Sequence, residues 1–386
     1  MNVCVFTSTR ADFGLLSPLV REMSHRRQFN VRLFVTGTHL DDAHGYTYTE
    51  IQKMGWKAFY EVPISMKNLD GTHLSTFSKC IESFTVTLVK NVPDVAVVLG
   101  DRFEALAFAI VAHSLGIPLC HLHGGEVSSG ALDDEYRHCI TKLSFLHFPS
   151  SSKSMNRIVR MGENPERVFN VGALAIDNIK SVSLLGAGEL SKDLKIDTTF
   201  PFIVMTYHPE TGTPEADKLQ VPAILNVLDK WISKGFKVIA TRSNADQGND
   251  WVHEQLNLFA AAHEDGFYYM QSLGMVRYLS LVRLATAVVG NSSSGLYEAA
   301  PLGTPTINIG NRQRGRERAG SVIDVWSDTS VNEKEFELAL ESAAKAKAAG
   351  IDVKDSPFGN GSAAKTICDI MGKTFFKPFM KKEFYE

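Results

Sequence analysis

The stretch DVAVVLGDRFEALAFAIVAHSLGIPLCHLHG, residues 94–124, decides the fold. Residues 94–100 are an apolar, β-branched run, residues 102–116 have the character of a helix, and residues 117–124 return to an apolar run. Apolar runs without alternation are typical of parallel strands that are covered on both faces. The stretch therefore predicts a strand, a crossover helix and a second strand, which is the repeating unit of a parallel α/β sheet.

The same rhythm of short apolar runs and longer amphipathic segments extends in both directions along the chain. It predicts further strands at 2–7, 31–37, 202–208, 236–242 and 286–291. Strong periodicity is lost around 181–199, a segment that has the character of a connector. We therefore expect an α/β protein of two doubly wound, Rossmann-like domains, residues 1–180 and 181–361.

Length and composition agree with this class. The chain has 386 residues, which is too long for one ordinary core. Its net charge of −3 gives no reason to expect a nucleic-acid or membrane partner. The apolar runs are too short to span a bilayer. Its five cysteines are odd in number and scattered, which is typical of buried thiols in a reducing cytoplasm.

The side chains that could do chemistry follow predicted strands. In open parallel sheets ligands bind beyond the carboxyl ends of the strands, so two such sheets predict a site in a cleft between the domains. The candidates at these strand ends include Arg10, Asp101, Arg102, His123, Glu126, His208, Asn291, Ser292 and Ser293.

The connection LCHLHGGEVSSGALDDEYRH, residues 119–138, is rich in proton-transfer groups. His121 and His123 alternate on the predicted strand and point to opposite faces, so a metal site is disfavoured and one of them is expected to be buried and hydrogen-bonded. The carboxylates Asp101, Glu126 and Asp133 would have raised pKa values in a partly dry cleft and could act as acids or bases. For Asp133 the alternative is a helix N-terminus, where acidic residues are favoured, and both interpretations can hold.

The second half carries the pattern of a diphosphate site. GNSSSGLYE, residues 290–298, reads as a strand end, a small-residue turn and a helix start, where Ser292 and Ser293 could bind phosphate or only cap the helix. The loop NRQRGRERAG, residues 311–320, contains Arg312 and three further arginines, which could clamp a diphosphate or lie solvated on the surface. Glu298 could accept hydrogen bonds from a ribose. Neither G-x-G-x-x-G after the first strand nor G-x-x-x-x-G-K-[ST] occurs, which disfavours NAD and ATP.

Several motifs, in this order, resemble the hydrolysing UDP-N-acetylglucosamine 2-epimerases of sialic-acid and legionaminic-acid biosynthesis. The resemblance covers residues 1 to about 325 and is carried by TSTRADFG (7–14), the segment 100–148, VFNVGALAIDN (168–178), YHPET (207–211) and GNSSSGLYEAAPLGTPTINIGNRQRGRE (290–317).

The resemblance implies a fold, a reaction and partners. The fold is the two-domain arrangement of glycosyltransferase type B with an inter-domain cleft, in which a C-terminal helix, here near 362–380, packs back on the first domain. The reaction inverts C2 of the sugar and releases UDP by elimination to a glycal followed by hydration. It needs a UDP-sugar and no cofactor or metal. A cytoplasmic homodimer is expected.

The resemblance also implies roles for single residues. It makes Asp101 and Asp133 catalytic, and it places the following among the contacts to the UDP-sugar: Arg10, Arg102, Asp177, His208, Ser292, Ser293, Glu298 and Arg312. His208 is also a catalytic candidate. Many relatives have Glu within H-x-E-G-G-E where this chain has His123, so either His123 or Glu126 takes the proton-transfer role.

Three alternatives stay open at this point. The substrate is UDP-N-acetylglucosamine or, by the same reaction, a UDP-2,4-diacetamido-2,4,6-trideoxy sugar. A type B glycosyltransferase would use the same diphosphate clamp but would have less need for the pair Asp101 and Asp133. A nucleotide-sugar sensor without catalysis is disfavoured by the complete set of acids.

Overall fold

A computed structural model describes residues 1–42, 45–64, 74–127, 133–209, 214–242, 249–271, 273–327 and 330–386. Within these ranges the chain folds into two compact units. The first unit comprises Met1–Val127, the described residues that follow up to Asn178, and Phe358–Glu386. The second unit comprises Ile179–Pro357.

The strands divide equally between the units. The first unit contains β1 (Asn2–Thr7), β2 (Asn30–Thr36), β3 (Ala58–Val62), β4 (Val95–Leu99), β5 (Leu119–Leu122) and β6 (Leu146–Phe148). The second contains β7 (Phe202–Thr206), β8 (Lys237–Thr241), β9 (Phe267–Met270), β10 (Ala287–Gly290), β11 (Thr306–Ile309) and β12 (Val322–Val325).

Helices connect the strands in both units. In chain order they are α1 (Arg10–Ser24), α2 (Tyr48–Lys53), α3 (Leu74–Leu88), α4 (Phe103–Ser114), α5 (Asp133–Leu143), α6 (Ser152–Arg160), α7 (Leu174–Ser181), α8 (Ala187–Leu194), α9 (Pro214–Ser233), α10 (Asn249–Ala262), α11 (Gly274–Leu284), α12 (Ser294–Tyr297), α13 (Glu333–Ala349) and α14 (Ala363–Lys373). The segment around 181–199, expected to be a connector, contains the short helix α8.

The two sheets are parallel and have the same topology. Their strand orders are β3-β2-β1-β4-β5-β6 and β12-β11-β10-β7-β8-β9. In each sheet the direction of winding reverses once, between β1 and β4 and between β7 and β10. Ligands of doubly wound sheets bind at the carboxyl ends of the strands beside this reversal. The predicted class of two doubly wound α/β domains is thus confirmed.

Both faces of each sheet are covered, which explains the continuous apolar runs. In β1 the alternate residues Val3 and Val5 join a core with α1 and α14, whereas Cys4 and Phe6 join a core with α3 and α4. In the second unit, alternate residues of β7 divide between two cores in the same way. A strand with two buried faces has no position for polar alternation.

The C-terminal helix α14 belongs to the core of the first unit, to which it contributes Ile367 and Met371. Its N-terminus is held by the Asp177 carboxylate, which accepts the backbone N–H groups of Ala363 (3.1 Å) and Ala364 (2.9 Å). A carboxylate at this position satisfies two donors that a helix start leaves without a helical partner.

The cysteines and the apolar helices bear on two expectations for the whole chain. All five cysteines are free, and four are buried, but Cys139 is exposed on α5, contrary to the expectation of buried thiols. None of the helices in the described ranges is long and apolar enough to cross a bilayer.

Candidate active site

Two turns bring polar groups to the carboxyl ends of β4 and β5. Gly100 ends β4 with φ at 81°, a conformation that glycine adopts readily, and Asp101 and Arg102 follow before α4 begins. His123 was expected within the strand, but β5 ends at Leu122 and His123 has a φ of 59°. The alternation argument for the two histidines therefore does not apply to His123, which lies in the turn.

His121 is the buried, hydrogen-bonded histidine of the pair. Its Nε2 lies 2.8 Å from the Gly100 carbonyl oxygen and its Nδ1 lies 3.1 Å from Thr141 Oγ1. Burial lowers the pKa of His121 to about 3. A neutral ring that ties β5 to the turn after β4 has a structural role.

The buried carboxylate of Glu126 contacts three polar side chains. Its Oε1 accepts the Ser150 hydroxyl at 2.6 Å and lies 3.0 Å from His123 Nδ1. Its Oε2 accepts Arg137 Nη1 at 3.3 Å. Both oxygens are thus engaged, and one engagement orients the imidazole of His123.

Arg137 connects the two turns. Its side chain, on α5, is only 3% exposed, and its Nη2 donates to the Asp101 carboxylate. Its Nη1 donates both to Glu126 and to the His123 carbonyl oxygen, the latter at 3.1 Å. We refer to Asp101, His123, Glu126 and Arg137 as the Arg137 cluster.

Asp133 is the first residue of α5 and lies in the electric field of this cluster. Although the residue is exposed to solvent, the protein around its carboxyl group desolvates it, and this together with the charge of Asp101 raises the pKa of Asp133 to about 6. The nearby guanidinium groups of Arg102 and Arg137 oppose that rise. A carboxyl group with such a pKa can hold or release a proton near neutral pH.

The other predicted residues of the first unit have different surroundings. Arg10 is half-exposed at the start of α1 and forms an ion pair with Glu50 at 3.5 Å. Arg102 pairs with the buried Glu104 through Nε (3.2 Å) and Nη2 (3.1 Å). Asp177 caps α14, as described above, and its observed contacts are structural.

In the second unit, Asn291 organises the turn after β10. Its amide accepts the His208 backbone N–H and donates to the His208 carbonyl, both at 2.7 Å. Its own carbonyl accepts Arg312 Nη1 at 3.0 Å and Gln313 Nε2 at 2.7 Å. We refer to these four residues as the Asn291 cluster, which joins the ends of β7 and β10 to the arginine loop.

Gly290 allows this close approach. Its φ is 129°, and a Cβ at this position would collide with the Thr206 carbonyl of the neighbouring strand. Gly290, the first glycine of the motif GNSSSGLYE, is therefore required by packing between β10 and β7 rather than by a ligand.

The serines that follow lie before a very short helix. α12 has only four residues, so the helix dipole that the sequence suggested as a phosphate-binding element is small. Ser293 is the N-cap residue but its side chain makes no capping hydrogen bond, and Ser292 Oγ accepts the Ser294 N–H at a long 3.4 Å. Capping of α12 is thus a weak explanation for a serine at position 292, and it does not explain the serine at position 293.

Glu298 is joined to the same turn through a chain of hydroxyl groups. Tyr278 donates to Ser294 Oγ at 2.8 Å, and Ser294 donates to the Glu298 carboxylate. Burial raises the pKa of Glu298. Its position is compatible with the predicted ribose contact, which stays a prediction.

Arg137 and Asn291 connect the predicted groups. Asn291 is among the residues predicted at a strand end, whereas the sequence assigns no role to Arg137. For Arg137 a signal exists, because it lies four residues after Asp133 and hence on the same face of α5. Asn291 is the first residue after β10, where polar side chains of a doubly wound sheet usually meet a ligand or a loop. Within the described residues, His, Cys, Asp and Glu side chains form no group of three or more that could hold a metal ion.

Comparisons with known proteins agree with one another. The family model for UDP-N-acetylglucosamine 2-epimerase matches residues 21–372. The chain is 36% identical over 324 residues to a GDP/UDP-N,N'-diacetylbacillosamine 2-epimerase (hydrolyzing) of Campylobacter jejuni, with 84% of each chain covered. It is 35% identical to the polysialic acid biosynthesis protein P7 of Escherichia coli, over 84% of this chain and 82% of that protein.

A solved structure extends the likeness of fold. The crystal structure of a UDP-GlcNAc 2-epimerase from Neisseria meningitidis bound to UDP-GlcNAc superposes with a TM-score of 0.81. The match covers 97% of this chain and 100% of that one, at 18% sequence identity. At this identity the likeness establishes the fold, of the type B glycosyltransferase kind.

Proposed function

The chain belongs to the UDP-N-acetylglucosamine 2-epimerase family, and from that premise we propose that it is a hydrolysing 2-epimerase, which converts UDP-N-acetylglucosamine into UDP and N-acetylmannosamine. The observation that carries the proposal is the Arg137 cluster, because it gathers an oriented imidazole and ionisable carboxylates at the carboxyl ends of β4 and β5. Sites that move protons need groups of this kind in fixed positions.

The chemistry of the substrate determines the order of steps. The proton at C2 of the sugar has no adjacent carbonyl, so its direct removal and return is implausible. In the proposed reaction a base takes the C2 proton while the bond from C1 to the UDP oxygen breaks, which leaves a C1–C2 double bond. Water then adds across that bond: its oxygen goes to C1 and a proton goes to C2 from the opposite face.

We assign the first proton transfer to His123. The contact of its Nδ1 with Glu126 Oε1 at 3.0 Å favours the tautomer with the proton on Nδ1. Nε2 is then the nitrogen that can accept the C2 proton. Glu126, bonded to Ser150 and Arg137 as well, acts in this assignment as the orienting partner and not as the base.

We assign the second proton transfer to Asp133, with Asp101 as its neighbour. The pKa of Asp133, raised to about 6 by desolvation and by Asp101, leaves a protonated fraction near neutral pH. This is the property that a proton donor to C2 needs. Asp101 is ion-paired with Arg137 and contributes negative charge beside that donor.

We assign binding of UDP to the second unit. Arg312, Ser292 and Ser293 offer guanidinium and hydroxyl donors to the diphosphate, His208 adds a further contact, and Glu298 offers a carboxylate to the ribose. Arg10 and Arg102 of the first unit remain predicted substrate contacts. Asp177 is not included, because both of its oxygens cap α14.

The identity of the sugar is the finer part of the proposal. One of the relatives is named for N,N'-diacetylbacillosamine and another for polysialic acid, at nearly equal identity. A UDP-2,4-diacetamido-2,4,6-trideoxy sugar is therefore the alternative substrate for the same reaction. The resemblance implies Glu at the position of His123 in many members of the family, and this difference bears on the choice of sugar.

The test is turnover of the two UDP-sugars side by side, without an acceptor, followed by NMR. UDP release with a free 2-epimerised sugar supports the proposal, and the faster substrate identifies the sugar. Turnover that depends on an added acceptor would indicate a glycosyltransferase. Binding without turnover would indicate a sensor, and either result would overturn the proposal.

A further inference from the structure

We propose that Arg137 is a positioning residue for this reaction: its guanidinium group fixes Asp101 relative to Glu126 and, through Glu126, orients the imidazole of His123. The inference rests on the proposed function and adds to it a residue that does not contact the substrate.

The contacts of Arg137 reach both turns at once. Nη2 donates to Asp101, which follows β4, and Nη1 donates to Glu126 Oε2 (3.3 Å) and to the His123 carbonyl (3.1 Å), which follow β5. A guanidinium group is planar, so bonds from both terminal nitrogens fix the angle between their acceptors as well as the distance. Lysine could not reproduce this, because its single ammonium has no fixed plane.

The burial of Arg137 indicates a role other than stabilising the fold. Its side chain is 3% exposed, and the Glu126 side chain is 9% exposed. Removing such charges from water costs nearly as much free energy as their attraction returns, so a buried ion pair is a weak source of stability. A buried cation between two carboxylates is better explained by the need to hold those carboxylates in place.

The charge of Arg137 also acts beyond its direct partners. It lowers the pKa of Asp133 and opposes the rise caused by desolvation and by Asp101. The neighbouring histidines His121 and His138 are in its field too. Loss of the charge should therefore raise the pKa of Asp133, an effect that packing alone would not produce.

The experiment compares Arg137→Met, Arg137→Lys and the control Arg160→Met, which makes the same change on the exposed side of α6. Arg137→Met should lower kcat by about 10²-fold, the usual cost of misplaced reacting groups, while KM changes by less than about threefold. Arg137→Lys should lie between Arg137→Met and the wild type, and Arg160→Met should match the wild type.

A double variant tests whether Arg137 acts through Asp101. In the Asp101→Asn background, Arg137→Met should cost far less in kcat than it does in the wild type, because residues that act as a unit are not additive. This double variant also removes one carboxylate together with the cation. If Arg137→Met alone fails to fold, Arg137→Lys, which keeps the buried positive charge, takes its place in both backgrounds.

The pKa of Asp133 gives a test that does not depend on turnover. The pKa of the Asp133 carboxyl, followed by ¹³C NMR, should be higher in Arg137→Met than in the wild type. An Arg137→Met enzyme with kcat within about threefold of an active wild type would overturn the inference and leave the proposed function standing. Full additivity with Asp101→Asn would also overturn it. A wild type inactive on every UDP-sugar would refute the function, and the inference with it.

Discussion

Two regions of this chain, one in each unit, are held together by different forces. In the Arg137 cluster a buried cation bridges two carboxylates. In the Asn291 cluster a neutral amide bonds both backbone groups of His208, and a backbone carbonyl receives Arg312 and Gln313. Ionic contacts change when a partner gains or loses a proton, whereas amide–peptide hydrogen bonds keep their strength as carboxyl groups titrate.

The difference fits the division of labour that we propose. A region that transfers protons must change charge during each turnover, and its geometry must survive that change. A region that binds UDP needs one fixed shape. The comparison therefore predicts that changes in the Arg137 cluster affect kcat, and that changes in the Asn291 cluster affect binding and folding.

The largest effect is expected from Asp101→Asn and Asp133→Asn. If these groups take part in proton transfer, either change should lower kcat by roughly 10²–10⁴-fold and leave UDP affinity within about twofold. Steady-state kinetics and calorimetry measure the two quantities. Asp134→Asn, the next residue on α5, is the control. Near-native turnover in Asp101→Asn or Asp133→Asn would remove that residue from the mechanism.

The next effect separates His123 from Glu126. His123→Ala should lower kcat by more than about 10²-fold, whereas Glu126→Gln, which loses only the orienting partner, should cost about tenfold. The rival view is that His123 shapes the pocket around the sugar substituents. In that case His123→Ala would stay within about tenfold of the parent, and His123→Glu would keep activity and shift preference toward UDP-N-acetylglucosamine.

The sequence predicts the inner strands of the fold better than the edges. All seven predicted strands are present, and all are inner strands. Five further strands of the described residues were not predicted, and four of these, β3, β6, β9 and β12, are the edge strands of the two sheets. Three of these are only partly buried, so their residues do not form continuous apolar runs. The fourth, β6, has three residues, which is too short for a pattern.

The site could be predicted as a set of residues but not as a set of contacts. Acidic and basic side chains after β4 and β5 are visible in the sequence. Their pairing depends on α5, which places Arg137 between Asp101 and Glu126. In the sequence these two residues lie 36 and 11 positions before Arg137. The left-handed turn at His123 and the use of Asp177 as a helix cap depend on tertiary packing and have no local sequence signal.

In the second unit the expected effect is on binding. Arg312→Ala should weaken UDP binding by about 1.5–3 kcal/mol, the range for a charge-assisted hydrogen bond, with little change in the kcat that remains. Arg314→Ala, an exposed arginine of the same loop, is the matched control. Equal affinities of the two variants by calorimetry would place Arg312 outside the site and leave the serines as part of a turn.

A smaller effect on binding is expected from Asn291→Ala, together with a loss of stability. The change removes two buried hydrogen bonds to His208 and should lower the free energy of unfolding by about 1–3 kcal/mol. Asn226→Ala, on the exposed side of α9, controls for the loss of an amide. If Asn291→Ala lowered kcat without altering stability or UDP affinity, the contrast between the two clusters would be wrong.

The smallest expected effect is a gain of stability from a substitution that removes turnover. The pKa of Asp133 is raised to about 6, whereas aspartate in an unfolded chain titrates near about 3.9. Ionisation of this group favours the unfolded chain. The resulting loss of stability grows as the pH rises from the lower value to the higher one, and it is complete above the higher value. Below both values the effect is absent. Asp133→Asn should therefore raise Tm by about 1–2 °C at about pH 7.5 and leave it unchanged near about pH 3.5. The gain is small because the residue is exposed and solvent screens part of its charge. Asp134→Asn should show no such gain. A lower Tm for Asp133→Asn at the higher pH would mean that the start of α5 stabilises the carboxylate, and that Asp133 does not lower the stability of the protein.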